Sequence, residues 1–450
     1  MITRRSRLAL LIVPALALAT ACTGGGDNSS GAAASGDQTL KIGLLTQLRG
    51  PSQSAGSEAQ NGAKLAVDVI NGLNPSIPLP LASDAGLPNL GGAKVSLVVK
   101  DVTPGAVDPK TREADAKAGV DEVQKAAGEA VTDLVSNQGV NALIGAYDPE
   151  VTEAASQRAE RFEVPFINAD SPATFLTDAG RDWFFRIGPT WRQAGQAFFS
   201  LPGVDPKIKI DKIAVLYAQD KAGQDVVTST TELAKEGGLD QPNKVATFGF
   251  KPDGSNAAAA YASVRAYNPD TLLLYSSPAS VQALLQAVAT SGWKPAAAMS
   301  FSLGYVTAQT FDPAAAAVDG LMRSTSWSLE AAQRNPAARA VTGLYQRRFN
   351  SPMTEAAASA FTAVMTVAQA VNNAGTVDEQ RVRSALLSLN IPGQQMIMPW
   401  AGIQFDETHQ NTLAQPLIEQ YHNRAFAIIY PSDAAANGAK PIYPAPNAAG

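Results

Sequence analysis

From Leu40 onward the chain alternates short, apolar, β-branched runs with amphipathic stretches of helical length, and no other feature restricts its fold as much. Residues 40–45 read as a buried strand, and residues 59–71 as a helix with Ala63, Leu65, Ala66, Val69 and Ile70 on one face. Residues 94–100 are a second strand, 113–136 a long helix and 141–145 a third strand; 151–161 is helical and 164–168 a fourth strand. Strand and helix repeated in this way imply a parallel sheet covered on both faces. The pattern restarts after Arg186-Ile187-Gly188-Pro189, with strands at 212–217, 245–250, 271–275 and 297–301 and helices at 223–236, 257–266 and 279–291. Three more helical stretches follow at 336–349, 355–372 and 378–389. The expected fold class is therefore α/β, with two doubly wound parallel-sheet lobes. The Pro-, Ala- and Asn-rich tail beyond Tyr430 is expected to be loose.

The ~400 residues after the N-terminal segment exceed what one compact core holds, which again requires at least two lobes. No stretch after that segment offers eighteen uninterrupted apolar residues. Residues 356–371 come nearest, but Ser359, Thr362, Thr366 and Gln369 mark a packed core helix.

The N-terminus has its own logic. Arg4, Arg5 and Arg7 precede the apolar run 8–18, and the small residues Ala19-Thr20-Ala21 follow, which reads as an export signal over residues 1–21. Cys22, the only cysteine in 450 residues, comes next. Ala21-Cys22 resembles the bacterial lipobox, in which the cysteine is diacylated, although Ala19 stands where a leucine is usual; an ordinary secretory signal with a chance cysteine is the alternative. Arg4-Arg5 leaves both general and twin-arginine export open. Residues 23–38 are nearly all Gly, Ser, Ala, Asn, Asp and Thr, so 22–39 is expected to be a flexible tether to a membrane surface. Removing the three arginines takes the net charge from −5 to −8, which disfavours nucleic acid as a partner.

Catalytic patterns are missing from the sequence. Its only histidines, His409 and His422, lie late in the chain, and it has no Gly-x-Ser-x-Gly, P-loop or Gly-x-Gly-x-x-Gly. No metal, cofactor or enzymatic role is expected. What stands out instead are small polar groups where strands end and helices begin, the place where open α/β sheets bind ligands. Tyr147, Asp148 and Glu150 follow one strand and Asp170-Ser171 another; in each, an Asp or Ser directly precedes proline, which helix capping also explains. In the second half Tyr217 and Asp220, Tyr275 and Ser276, and Phe301 and Ser302 occupy equivalent positions. Trp327 either lines the cleft or staples the hinge.

Four segments together resemble one family: residues 41–51 (Lys-Ile-Gly-Leu-Leu-Thr-Gln-Leu-Arg-Gly-Pro) with 62–71; 143–147 with 164–171; 176–186; and 402–406 with Gln410-Asn411-Thr412. These are similar to the type I periplasmic solute-binding proteins of ABC importers, in the branched-chain amino acid, amide and urea group. The resemblance implies two lobes joined by three crossovers, 40–188 with 325–416 and 189–324 with 417–433, closing on a small-molecule ligand, with 434–450 as a tail. It implies an ABC permease as partner, a monomeric receptor and, with Cys22, a lipid anchor on the outer face of the cytoplasmic membrane. The ligand contacts it implies fall on Tyr147 to Glu150 and Asp170-Ser171 in the first lobe, and near Tyr217 to Ala222, Tyr275 to Ser277 and Ser302 in the second. Ala55, Ala222 and Phe301-Ser302 depart from the aromatic and acidic residues of the family's amino-acid binders, so a plain Leu, Ile or Val ligand is not expected, and Asp148 and Asp170 hint at an amine or polyhydroxy ligand. A sensor that presents its closed form to a signalling partner would need the same cleft.

Overall fold

β1 (Leu40–Thr46) is buried at every position except Lys41, as a parallel strand between two helical layers must be. The computed structural model describes residues 39–103, 112–301, 310–311, 314–435 and 438–448, the side chains of 112–121 excepted. The export signal, Cys22, the tether through residue 38 and Ser302 lie outside the described residues, as does part of the long segment between Asp101 and Val123.

After β1 come α1 (Gln53–Asn71), β2 (Val95–Asp101), α2 (Arg112–Thr132), β3 (Ala142–Gly145), α3 (Pro149–Phe162), β4 (Phe166–Asn168), the single turn α4 (Phe175–Asp178) and β5 (Phe184–Arg186). These five strands form one parallel sheet in the order β2-β1-β3-β4-β5. Leu40, Ile42 and Leu44 enter the core beneath α1, while Leu45 points to the opposite face with Ala127, Val131 and Ala155 of α2 and α3. That split is the two-residue period of a strand read in three dimensions.

The second lobe contains α5 (Trp191–Phe199), α6 (Leu201–Val204), β6 (Ile213–Ala218), α7 (Lys221–Glu236), β7 (Val245–Phe250), α8 (Ala257–Tyr267), β8 (Thr271–Tyr275), α9 (Val281–Ser291), β9 (Ala297–Ser300) and β10 (Met322–Thr325). The chain then returns to the first lobe through α10 (Leu329–Ala332), α11 (Pro336–Phe349), α12 (Glu355–Ala374), α13 (Glu379–Leu387) and the short pair β11 (Asn390–Pro392) and β12 (Gly402–Gln404). It ends in the second sheet with β13 (Leu417–His422) and β14 (Ala425–Tyr430). The order there is β14-β13-β10-β9-β8-β6-β7, parallel from β7 to β10 and antiparallel at β13 and β14. The two-lobed α/β architecture expected from the sequence is therefore what the chain forms, with an antiparallel edge added to the second sheet. Five of the six residues of β13 are buried, so no polar alternation marked it as a strand.

α12 lies against α1 so closely that a Cβ on Gly62 would sit 1.9 Å from the Ala357 carbonyl oxygen. Thr354 Oγ1 donates to Glu58 Oε2 at 2.8 Å, and the Asn89 amide donates to Asn372 Oδ1 at 2.9 Å. α12 is a core helix, and among the described residues no helix is long and apolar enough to cross a membrane.

Two expectations are corrected. α1 starts at Gln53 rather than at 59, so Ala55 lies in its first turn. Gly56, a poor helix former, belongs there because any Cβ would lie 1.9 Å from the Gln47 carbonyl oxygen. The tail is not loose where it is described. The Ile442 amide donates to Gln420 Oε1 at 2.8 Å, the Ala445 amide donates to the Ala296 carbonyl at 2.8 Å, and Ala445 packs over Gly320 at φ +94°.

Candidate functional site

The lobes are joined where β5 leaves the first sheet, where β10 leaves the second and where the chain re-enters the second at β13. Arg186, the last residue of β5, is fully buried and fastens the first of these crossovers to the third. Its Nε donates to Gln410 Oε1 at 2.6 Å, Nη2 to Thr177 Oγ1 at 2.6 Å and Nη1 to the Ala173 carbonyl. Burial lowers its pKa to about 10 against the opposing pull of Asp225, Asp178 and Asp406. Asn411 continues the seam: its Nδ2 donates to the carbonyls of Ile187 and Gly402, both at 3.0 Å, and its Oδ1 accepts from the amides of Gln404 and Leu413.

A cavity of about 60 Å³ opens beside these crossovers, walled by Tyr147, Asp170, Thr190, Trp191, Phe301, Glu355 and the stretch from Ser324 to Ser326. Tyr147 follows β3, Asp170 follows β4 and Phe301 follows β9, so the carboxyl ends of strands from both sheets meet there. Trp191 Nε1 donates to the Phe301 carbonyl at 2.9 Å, and its ring meets Tyr275 edge-on, centroids 5.2 Å apart. Thr190 caps α5 in a reciprocal capping box with Gln193, which fixes the direction in which Trp191 enters the cavity.

Next to the cavity the mouths of the lobes touch. Asp148 caps α3, accepting from the amides of Glu150 and Val151 at 3.0 and 3.2 Å; Asp220 caps α7, accepting from Gly223 at 2.7 Å. Between them Glu150 Oε1 accepts from the Lys221 amide at 3.3 Å, and Lys221 Nζ reaches Glu153 Oε2 at 2.5 Å. The Thr174 amide donates to Asp225 Oδ2 at 2.8 Å across the same seam.

Crowding of carboxylates sets the local electrostatics. Burial, then the charge of Glu355, lifts Asp170 to about 8. Asp220 is lifted to about 7 by burial, with Glu150 and Asp148 adding to the rise against the hydrogen bond from Gly223. Asp148 and Glu150 are likewise raised, chiefly by burial.

The sequence-predicted residues that are described thus fall into four sets. Tyr147, Asp170 and Phe301 line the cavity, and Asp148, Glu150, Asp220 and Tyr275 gather beside it. Ser171 and Ser276 are fully buried nearby. Tyr217 pairs in register with Tyr275 but packs on the second-lobe core, and Trp327 belongs to the first-lobe core, its Nε1 donating to the Met353 carbonyl at 3.4 Å. Neither lines the cavity, because each packs into the hydrophobic core of its own lobe. Sequence reasoning missed Thr190, Trp191, Glu355 and the residues 324–326. These sit on the crossovers, which carry no strand-end signature, and Glu355 reads simply as the first residue of a helix. Among the described residues no group of His, Cys, Asp and Glu is arranged to hold a metal ion.

Two parallel-sheet lobes joined by three crossovers, with a cavity lined from both at the carboxyl ends of their strands, have the architecture of a two-lobed binding protein. The profile of the periplasmic binding protein family matches residues 39–419, and the chain belongs to that family. It is 25% identical over 416 residues to a Leu/Ile/Val-binding protein homologue of Brucella abortus, covering 90% of this chain and 94% of the relative. Its fold matches a leucine-binding protein of Thermotoga maritima at a TM-score of 0.67 and 18% identity, over 88% of this chain and all of the other. A benzoate-bound solute-binding protein of R. palustris matches at 0.65 and 17%, over 87% and 95%. The family and these relatives are binding proteins, not enzymes, and membership implies an extracytoplasmic setting.

Proposed function

We propose that the chain captures a small polar solute, an amino-acid-like compound, amide or amine, in the interlobe cavity and hands it to an ABC permease. The observation that carries this reading is the convergence of Tyr147, Asp170 and Phe301, from three strand ends in two sheets, on one cavity at the crossovers. In this reading the lobes are 40–188 with 325–416 and 189–324 with 417–433, and Tyr147, Asp170, Phe301 and Glu355 touch the solute. Asp148, Glu150 and Asp220 close the mouth around it.

Closure is the measurable consequence. Small-angle scattering during titration with a solute that raises the melting temperature is expected to show a smaller radius of gyration, because hinge motion draws the lobes together. Unchanged scattering with such a solute at saturation would contradict the reading.

The proposed lipid anchor is tested separately. Cys22→Ala is expected to move the protein from the membrane fraction into the medium or periplasmic wash, since a cysteine acylated at its sulfur has no substitute elsewhere in the chain. Retention of the variant at the membrane would show another means of attachment.

A further inference from the structure

The receptor reading leaves the charge of the solute open, and the cavity constrains it. Asp170 and Glu355 line it and, among the described residues, no lysine or arginine does. Three more carboxylates, Asp148, Glu150 and Asp220, stand at the adjoining helix mouths, and none of the five forms an ion pair among the described residues. The nearby cations are committed elsewhere: Lys221 Nζ to Glu153, and the Arg186 guanidinium to Gln410, Thr177 and Ala173.

A second observation is independent of the acids. Ser171 Oγ, between Asp170 and the cavity-lining Pro172, is buried at 1% exposure and lacks a partner among the described residues. Buried hydroxyls are rarely left unmet, and this oxygen can accept an N–H bond. Tyr275, 2% exposed, meets the cavity-lining Trp191 edge-on, and the charges of Asp220, Asp148 and Glu150 add to burial in raising its hydroxyl. The acids and the hydroxyls ask for the same thing: a guest rich in N–H donors and positive charge.

We propose that the site takes a small organic cation with no free carboxylate, best a diamine, one ammonium between Asp170 and Glu355 and the other toward Asp148, Glu150, Asp220 and the Tyr275 hydroxyl. This rests on the receptor reading above. Tyr147 lines the cavity with Asp170 and Glu355 and directly precedes Asp148, the cap of α3, so it links the two poles along the chain. A carboxylate-bearing solute is disfavoured because it would meet like charge in a desolvated site.

The test uses the folded, signal-free chain and two probe sets. The first is 1,3-diaminopropane, 1,4-diaminobutane, 1,5-diaminopentane and leucinamide; the second is leucine and benzoate. Members of the first set are expected to raise the melting temperature and those of the second to leave it unchanged. Calorimetry of the tightest diamine in two buffers at pH 7 is expected to show release of more than one proton, about 1.4, because Asp170 and the half-protonated Asp220 must both ionise to pair. Its affinity is expected to rise about fiftyfold from pH 6 to pH 7, about ninefold from Asp170 and about fivefold from Asp220. The groups facing Asp170 in that titration are Glu355 and Tyr147, and those facing the second pole are Asp148, Glu150, Asp220 and Tyr275. Glu355→Gln keeps an acceptor for Ser326 and is expected to weaken binding about thirtyfold or more. Binding of leucine or benzoate with none of the amines would overturn the cation assignment and leave the receptor reading standing. No response to either set would also overturn it, while scattering with other solutes would still decide the receptor reading.

Discussion

Arg186→Met is expected to destabilise the protein by about 3–5 kcal/mol. The side chain is fully buried and donates to Gln410 Oε1, Thr177 Oγ1 and the Ala173 carbonyl, and methionine fills similar volume without donating to any of them. Three acceptors would be stranded away from water, each at about 1–3 kcal/mol before relaxation. The loss is larger than for an exposed arginine such as Arg192, whose bonds to Glu232 and Glu236 compete with solvent. Urea denaturation reads it as a lower midpoint with an unchanged slope. Arg186→Lys is expected to recover only part, since one ammonium cannot reproduce the guanidinium fork. A stability within about 0.5 kcal/mol of wild type, the spread of ordinary surface substitutions, would mean that the crossover seam is held elsewhere.

Asp170→Asn is expected to do the reverse, stabilising the solute-free protein while removing its affinity. Held at about 8 by burial and Glu355, this carboxyl binds a proton in the native state over a range where the unfolded chain, near 3.8, does not. The native form therefore carries more protons between about pH 4 and pH 8, and wild-type stability from this residue falls as pH rises through that window. Asparagine carries no such titration. The variant should match wild type near pH 4 and exceed it by about 2 kcal/mol or more at pH 8, because every tenfold change in proton affinity between native and unfolded chain corresponds to about 1.4 kcal/mol and hydration of the open cleft takes back part. Asp220, held near 7, gives wild type and variant the same slope, so the difference between the two curves isolates Asp170. Parallel stability profiles from pH 4 to 8 would refute the raised Asp170 carboxyl.

Much of this architecture is legible from residues alone, and the reasons are local. Val245–Phe250, Thr271–Tyr275 and Pro336–Phe349 fall where periodicity places them, because buried parallel strands and one-sided helices write their environment into sequence. Asp148, Asp170 and Asp220 are marked by their position after a strand. Glu355, Thr190 and Trp191 are not, since what brings them to the cavity is the path of three crossovers, set by long-range bonds such as Arg186 to Gln410, 224 residues apart. The tail misleads for a related reason. Its Pro- and Ala-rich composition describes a chain without its own core, and Gln420 together with the notch over Gly320 supply one.

The pairing of α1 with α12 bears on how the molecule comes into being. Glu58 and Thr354, joined by a 2.8 Å bond, are 296 positions apart. At about 5–20 residues per second, a ribosome needs roughly 15–60 s to travel between them. Throughout that interval the apolar side of α1, with Ala59, Ala63 and Ile70, has no lid. Until α12 is made, the first lobe lacks one side of its core, so the complete first lobe forms only after most of the chain has been synthesised.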